Sequence, residues 1–382
     1  MITALKIAGF KRFSSCELEL APLTVLTGLN GAGKTSVIQA LLLLREASLP
    51  GARTVPLNGP LGLFGLELGS AQDVLNLDTA LEISEIELSV SLDHGASCSF
   101  LLDARDESLL HLPIKRRPDS VPPVLGGPHR AFTYLCAERL GPRSVLGASA
   151  QPADDLGVGV RGELCAQVLA VHGMREKVAR GRLHPEPPAD TGVERGAYDF
   201  LKYQVEAWLS DIVRPTEIDT VWYPNTTVTA LRFRDPGGDW VRAPNMGFGV
   251  SYSLPIVLAG LFAPGEDALL VVENPEAHLH PAGQSRMGTF LAMLAGAGVQ
   301  VLLETHSDHV LNGIRRAIGE HRLLPAARAV VHFFDVKTGG EPEISALRFT
   351  ETGGLSDWPR RFFDQYQIDV AALARVRRGP AR

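Results

Sequence analysis

LTVLTGLNGAGKTSVIQALLLL, from Leu23 to Leu44, is the stretch that decides the fold. An apolar run typical of a buried strand leads into a glycine-rich turn, and a segment with helical periodicity begins near Lys34 and ends before Pro50. The turn matches the phosphate-binding pattern G-x-x-x-x-G-K-[ST], whose backbone N–H groups surround phosphate oxygens. The sequence therefore predicts a strand, a phosphate-binding loop and a helix in direct succession.

The residue types of this loop suit a nucleoside triphosphate. The glycines let the backbone curl inward, and the helix that follows adds the positive end of its dipole. Lys34 would reach the β- and γ-phosphates, and Thr35 would place its hydroxyl on magnesium. Because kinases of small molecules have the same loop, it predicts nucleotide binding and leaves the function open. The predicted loop residues are Gly28, Asn30, Gly31, Gly33, Lys34, Thr35 and Ser36.

Towards the carboxyl end, predicted strands and helices alternate, which indicates a mostly parallel sheet with both faces covered. The strands are DALLVV and VQVLLETHS, and the helices are SYSLPIVLAGLFA, PAGQSRMGTFLAMLAGAG and DHVLNGIRRAIGE.

Weaker patterns cover the middle of the chain. Ala131 to Arg139 is predicted to be a central strand, Leu81 to Ala104 an antiparallel ribbon, and His111 to Arg130 a loop. Residues 161–213 favour helix, interrupted by the loop HPEPPADTG, and residues 216–244 favour a strand and a hairpin.

Polar residues end the two buried strands, at the sheet edge where ligands bind in open α/β folds. Glu273 is predicted to be the magnesium-linked carboxylate, and His306 is predicted to sense the γ-phosphate. Asn274 stands where a general base is expected. An amide cannot accept a proton, although it can orient water, and Glu276 could take the role of the base.

A second glycine-containing turn, NMGFGVSY, runs directly into the helix SYSLPIVLAGLF. A helix start with small residues presents free N–H groups, so Gly247, Gly249 and Ser251 form a second candidate anion site. One chain seldom needs two such sites for one triphosphate. We therefore expect a dimer in which the turn of one subunit closes over the nucleotide of the other.

On these stretches the chain resembles ATPases of the ABC superfamily in the SMC/RecF branch, close to bacterial AAA-type ATPases related to the OLD family. The resemblance spans nearly the whole chain, least well over residues 105–245, and WPRRFFDQ is similar to the tail of an uncharacterised subgroup. It implies an α/β head with a mixed, mostly parallel central sheet flanked by helices, an antiparallel β subdomain and a helical insertion. The stretches that carry it are IAGFKRFSSCELELAPLTVLTGLNGAGKTS, YLCAERLGPR, NMGFGVSYSLPIVLAGL, LLVVENPEAHLHPAGQS and LLETHSDHVLNGIRRAI.

The resemblance also assigns roles. It implies that the first loop is Walker A, the Gly247–Ser251 turn the ABC signature, Glu273 the Walker B acid and His306 the switch histidine, with ATP and Mg²⁺ as cofactors. Arg12 matches a basic residue near the nucleotide, and Gln72 is a candidate for the glutamine loop. The implied organisation is a single domain, 1–382, with an N-terminal lobe (1–104), an insertion (105–245), a signature and Walker B lobe (246–325) and a C-terminal extension (326–382).

Two functional hypotheses follow. In the first, two heads close on ATP and hydrolysis drives a separate effector (a nuclease or other toxin) or DNA, in anti-phage defence or DNA maintenance. In the second, the protein is a nucleotide-gated sensor or scaffold with little hydrolysis. Two other classes of protein fit the sequence less well. A small-molecule kinase has no use for the second turn, and the LSGGQ-like signature that a transporter subunit normally carries is absent from this sequence.

Composition and length restrict the partners and activities that the sequence predicts. The net charge of −6 does not suggest a nucleic-acid partner for the protein as a whole, although Lys115-Arg116-Arg117 could contact DNA locally. No apolar window has the length of a membrane helix, so we expect a cytoplasmic protein without a membrane partner. After Ile318 only about 60 residues follow, fewer than a nuclease domain needs. We therefore expect no intrinsic nuclease.

Overall fold

A computed structural model of the chain describes residues 1–59, 62, 64–77, 84–186, 196–223, 225–265, 267–337 and 342–378. Most of the predicted loop HPEPPADTG and residues 81–83 of the predicted ribbon lie outside these ranges. Among the described residues, no helix is long and apolar enough to cross a membrane.

The strands are β1 (Ile2–Phe10), β2 (Phe13–Glu19), β3 (Leu23–Gly28), β4 (Thr54–Pro56), β5 (Glu85–Leu92), β6 (Ser97–Asp103), β7 (His111–Arg116), β8 (Phe132–Leu135), β9 (Leu146–Gly147), β10 (Glu217–Trp222), β11 (Val228–Arg234), β12 (Val241–Arg242), β13 (Leu269–Glu273), β14 (Gln300–Glu304), β15 (Ala329–Val336) and β16 (Pro342–Arg348). The helices are α1 (Lys34–Ala47), α2 (Ala71–Val74), α3 (Pro123–Gly126), α4 (Cys165–His172), α5 (Leu201–Ile212), α6 (Phe248–Phe262), α7 (Pro281–Gly296), α8 (Asp308–Gly319) and α9 (Gln365–Arg378).

A six-stranded sheet in the order β16-β15-β3-β14-β13-β8 positions the phosphate-binding loop. Strands β15, β3, β14, β13 and β8 are parallel, and β16 pairs antiparallel with β15. This arrangement confirms the predicted mixed, mostly parallel sheet. Strand β14 lies between β3 and β13, so the ends of all three meet at one edge.

Side chains of the buried strands alternate between two hydrophobic cores. Leu269 and Val271 pack in the core that contains α1, whereas Leu270 and Val272 pack in the core that contains α6, α7 and α8. Because both faces are covered, the strand reads as a continuous apolar run. By the same alternation, the side chain of Glu273 continues the row on the α1 face.

The predicted central strand at residues 131–139 is instead the short edge strand β8, so that prediction was wrong. Its apolar side chains are buried on both faces of the sheet, Leu135 in the core that contains α6, α7 and α8, and Phe132 and Tyr134 in the core that contains α1. Phe64 contacts Phe132 and Tyr134, with ring centroids 5.6 and 5.8 Å apart. Burial of this kind gives an edge strand the apolar composition of a central one.

A second, antiparallel sheet has the order β2-β1-β5-β6-β7-β4. It contains the predicted ribbon as β5 and β6, and it confirms the antiparallel β subdomain. Residues 111–130, predicted to be a loop, instead contribute β7 and the short α3. Pairing with β4 and β6 satisfies the backbone of β7 despite its proline.

The predicted basic patch lies on and beside β7. Lys115 and Arg116 form ion pairs with Glu85 and Glu87, while Arg117 donates to backbone carbonyls, including that of Leu49 at 2.8 Å. A third, small sheet joins β10, β11 and β12, with β9 also paired to β11. Helices α4 and α5 pack against this sheet.

Candidate nucleotide-binding site

The phosphate-binding loop joins β3 to α1 and requires glycine at two positions. Gly28 has φ 127°, and a Cβ there would lie 2.1 Å from the carbonyl oxygen of Phe334 on β15. Gly33 has φ 112°, and a Cβ there would meet the ring of Phe13 at 2.7 Å. The loop is therefore held in one conformation by its neighbours, at the first turn of α1.

Lys34 is almost fully buried within this loop. Its Nζ donates hydrogen bonds to the carbonyl oxygens of Gly28 at 3.0 Å and Leu29 at 2.8 Å, and lies 3.9 Å from Oε1 of Glu304. Burial lowers the pKa of Lys34, while the charge of Glu304 partly opposes this. The ammonium group thus lies across the loop, where an incoming phosphate would be its strongest partner.

A cavity of about 580 Å³ opens at the loop, a volume in the range of small-ligand sites. The structure brings two residues predicted from separate segments, Arg12 and Gln72, to this cavity together with the loop. Its lining residues are Lys11, Arg12, Asn30, Gly31, Gly33, Lys34, Thr35, Ser36, Gln72, Asp73, Leu75, Leu77 and Glu304. The basic and hydroxyl groups among them fit a nucleotide phosphate chain and its magnesium ion.

Glu273 lies at the end of β13, as predicted, and its carboxylate is engaged from the β8 side. Tyr134 donates its hydroxyl to Oε1 at 2.9 Å, and the N–H of Ala137 donates to Oε2 at 3.3 Å. Burial raises the pKa of Glu273, while these two hydrogen bonds oppose the rise. The carboxylate is therefore oriented by fixed donors.

Glu304, which the sequence analysis did not select, is a carboxylate in direct contact with the loop. Thr35 Oγ1 donates to its Oε2 at 3.2 Å. Glu304 is also the register partner of Glu273 in the parallel pair β13–β14, so both side chains lie on the α1 face. Burial, together with the charge of Glu273, raises the pKa of Glu304 to about 7. The sequence signal was an acid that ends a buried strand two positions before His306.

The turn after β13 explains the residue type at position 274. Asn274 has φ 44°, the left-handed region that asparagine tolerates better than glutamate. Glu276, two residues on, accepts hydrogen bonds from Thr305 Oγ1 at 2.7 Å and from the N–H of His306 at 2.9 Å. The Glu276 carboxylate is thus tied to the end of β14.

His306 lies at the same edge, with its side chain 43% exposed. Its Nε2 is 4.0 Å from Oε1 of Glu304. Burial of its inner part and the charge of Lys34 lower the pKa of His306. The imidazole is therefore biased towards its neutral form, in which one ring nitrogen can donate and the other accept.

Arg139 is a second residue that the sequence analysis did not assign, and it joins three segments. Its guanidinium donates to the carbonyl oxygens of Glu273 and Asn274, both at 2.6 Å, and to that of Tyr252 on α6 at 3.2 Å. The side chain is only 2% exposed. Arg139 therefore couples the end of β13 to the first turns of α6.

The Gly247–Ser251 turn begins α6, with Gly247 at φ 88° as the N-cap. Phe248 is 54% exposed and stacks on His278, with ring centroids 5.0 Å apart. Gly247, Gly249 and Ser251 are not among the described residues that line the loop cavity. The two predicted anion sites are thus separate within one chain.

Three family models match parts of the sequence. Residues 1–102 match an AAA ATPase domain, residues 185–312 an AAA domain described as "putative AbiEii toxin, Type IV TA system", and residues 324–373 a protein of unknown function, DUF3696. No single match spans half of the chain. A comparison with curated proteins finds no match.

Solved structures give the fold. The chain is similar to an SMC head bound to the C-winged helix domain of ScpA, with a TM-score of 0.52 and 10% identity, covering 91% of this chain and 97% of that one. An Smc head with an extended coiled coil bound to the C-terminal domain of ScpA, derived from Pyrococcus furiosus, has a TM-score of 0.49 and 11% identity, covering 98% of this chain and 99% of that one. The SMC head from Thermotoga maritima has a TM-score of 0.45 and 12% identity, covering 90% and 98%.

With identity this low, the likeness establishes the fold alone, which is that of an SMC head, an ABC-type ATPase fold. The predicted fold class is confirmed. Together with the AAA-type family matches, it supports an ABC/SMC-like P-loop ATPase.

Proposed function

We propose that this protein is an ATP-binding head of the ABC/SMC type that hydrolyses ATP slowly, pairs with a second head around the nucleotide and controls a partner effector. One observation carries the proposal. The P-loop residues Lys34 and Thr35 meet a buried carboxylate, Glu304, in a cavity that Arg12 and Gln72 also line. A glycine turn with a chance lysine would not assemble these groups at the carboxyl edge of a parallel sheet.

Different residues of the site would have different chemical roles. Lys34 and the loop N–H groups neutralise phosphate charge, while Thr35 and Glu273 are the predicted magnesium ligands. Bound Mg²⁺ would supply charge neutralisation between the β- and γ-phosphates. The neutral imidazole of His306 would hydrogen-bond the γ-phosphate or the attacking water, since it lies at the end of the strand next to β3.

Slow turnover follows from the residues after β13. Asn274 cannot remove a proton from water, and Glu276, the alternative base, already accepts two hydrogen bonds from Thr305 and His306, the residues that follow β14. Both of its oxygens are therefore engaged before any water is bound. Hydrolysis would therefore depend on a small movement of Thr305 and His306 at the end of β14, which closure of a second head could cause.

Pairing is supported by the separation of the two predicted anion sites within one chain. The N-terminus of α6 would present its free N–H groups and the exposed Phe248 to the nucleotide of the second head. Arg139 would transmit this contact to β13, because it binds carbonyls of both elements.

The partner is proposed from the comparisons. One similar SMC head is bound to ScpA, and one family description names a putative toxin of a toxin–antitoxin system. The first suits a head that acts through another protein, and the second suits a role in a toxin–antitoxin system. We therefore propose a separate effector, a nuclease or other toxin, or DNA, in the anti-phage defence or DNA-maintenance setting that the OLD-like resemblance implies.

A nucleotide-gated sensor with little or no hydrolysis is the second candidate. The amide of Asn274 at the expected position of the base favours it. Binding would then close the heads, and nucleotide exchange rather than hydrolysis would open them.

Binding of a fluorescent ATP analogue and release of phosphate, measured on the purified protein, test the proposal. Wild type should bind ATP and release phosphate slowly, and Lys34→Ala should lose both. The matched control Lys6→Ala removes an exposed lysine of β1 and should behave as wild type. Wild type that binds no ATP would overturn the proposal, whereas binding without phosphate release would favour the sensor.

A further inference from the structure

Glu304 occupies the position next to the P-loop that a metal-binding carboxylate needs. Strand β14 pairs directly with β3, and Glu304 is opposite Leu26, two residues before the loop begins at Gly28. Its two oxygens are 3.2 and 3.5 Å from Thr35 Oγ1, and Oε1 is 3.9 Å from Lys34 Nζ. Glu304 thus contacts both side chains that the P-loop directs at a nucleotide.

Glu273 is placed differently. It lies one strand further from β3, and both of its carboxylate oxygens accept hydrogen bonds from residues on the β8 side, Tyr134 and Ala137. Among the described contacts, none joins Glu273 to Thr35 or Lys34. The residue that the sequence pattern selects is therefore not the carboxylate that the P-loop threonine contacts.

We propose that Glu304 is the principal protein carboxylate that binds the magnesium ion of the nucleotide together with Thr35, while Glu273 supports it from the neighbouring strand. This inference rests on the proposed function, because the ion would enter with ATP. Mg²⁺ takes oxygen ligands at about 2.1 Å in an octahedron, which places adjacent ligands about 3.0 Å apart. The 3.2 Å between Thr35 Oγ1 and Glu304 Oε2 matches that spacing, so the two oxygens can bind one ion with little movement.

Charge supports the same assignment. Glu273 and Glu304 are register partners on one face of the sheet, so their carboxylates form an acidic pair beside the cavity. Lys34 offsets part of this charge but is also directed at the loop carbonyls. A divalent cation would neutralise the pair and bridge it to the phosphates, as magnesium sites with one or two carboxylates do.

The test measures affinity for a fluorescent ATP analogue in EDTA and over a series of Mg²⁺ concentrations, and so does not depend on hydrolysis. Glu304→Gln should raise the Mg²⁺ concentration that half-maximally tightens nucleotide binding by at least roughly 10-fold, because loss even of a residue that only orients a metal ligand costs about 10- to 100-fold in metal affinity. Affinity in EDTA should be unchanged or tighter. Glu273→Gln should shift it less. Glu206→Gln is the matched control, because Glu206 is also a largely buried carboxylate, 12% exposed and with its pKa raised to about 7 by burial, but it lies on α5 and does not line the cavity.

A second variant tests the same ligand by gain of specificity. A thiolate prefers softer cations than a carboxylate does, so Glu304→Cys should bind the nucleotide more tightly with Cd²⁺ than with Mg²⁺, and Glu206→Cys should not. Wild-type Mg²⁺ dependence in Glu304→Gln, or no Cd²⁺ preference in Glu304→Cys, would overturn the assignment. If wild type itself binds no nucleotide, the proposed function fails instead, so the two failures are distinguishable.

Discussion

Thr305 Oγ1 donates a 2.7 Å hydrogen bond to Glu276 Oε2, and the adjacent N–H of His306 donates to Oε1 at 2.9 Å. The carboxylate that follows β13 is therefore fixed to the end of β14. Each oxygen keeps a second lone pair, with which the carboxylate can orient water and accept its proton.

Glu276→Gln should lower ATP turnover by about 100-fold or more, because general-base catalysis contributes at least this much. ATP binding should persist, since Lys34 and the loop are untouched, and paired heads should accumulate because hydrolysis no longer opens them. Phosphate release and gel filtration with ATP measure the two effects. Glu343→Gln, an exposed acid on β16, is the control, and unchanged turnover in Glu276→Gln would assign the base elsewhere.

Asn274→Gly separates a backbone role from a chemical one. Glycine adopts the φ of 44° found at Asn274 without strain, and it should cost no more than about 1 kcal/mol through the entropy of the unfolded chain. If Asn274 serves the turn, turnover should remain within about threefold of wild type, since an amide supplies no general-base catalysis. A fall in turnover comparable with that of Glu276→Gln would instead show that the amide positions the attacking water.

Much of this architecture could be predicted from local sequence. The P-loop pattern and the apolar runs of β13 and β14 specify strand, loop and helix in order, and alternation of these elements specifies a parallel sheet. The sequence analysis did not select Glu304, because it had already assigned the magnesium-linked carboxylate to Glu273. The contact with Thr35 depends instead on strand order, which places β14 rather than β13 beside β3.

The contacts of Arg139 and the edge position of β8 could not be predicted from local sequence, for related reasons. The apolar residues of β8 are buried on both faces of the sheet, as those of a central strand are, so an apolar run did not distinguish an edge strand from a central one. Arg139 binds carbonyls of β13 and α6, and such contacts leave no periodic signal. Backbone acceptors are the same in every residue, so only the fold shows which of them a buried guanidinium reaches.

Phe248→Asp should weaken pairing without harming the fold. An acid in the first turn of α6 stabilises the helix through its dipole, so thermal stability should be unchanged or higher. In a paired head it would face the partner's triphosphate, and like-charge repulsion should weaken ATP-dependent pairing by about tenfold or more. ATP binding to the single head should be retained.

Light scattering with and without ATP measures this pairing. Trp222→Asp changes an aromatic residue of similar exposure at the end of β10 and should pair as wild type does. If Phe248→Asp pairs normally, the signature turn does not face the second nucleotide, and the proposed arrangement of the heads is wrong.

Glu206→Gln should stabilise the protein at neutral and alkaline pH. Burial raises the pKa of Glu206 from 4.5 to about 7, although the N–H of Ile218 donates to its Oε1 at 2.7 Å. Below pH 4.5 the carboxyl group is protonated in both the folded and the unfolded chain, so it makes no difference there. As the pH rises to about 7 the unfolded chain ionises first, and the resulting penalty on the free energy of unfolding reaches at most about 3 kcal/mol above the folded pKa.

Denaturant unfolding at pH 4.5 and pH 8 should therefore show a gain in stability for Glu206→Gln at pH 8 alone. Equal stability of the variant and wild type at pH 8 would contradict the burial cost. Glu320→Gln is the control: Glu320 is exposed, and the hydrogen bond from Arg316 lowers its pKa, so this variant should show no such gain.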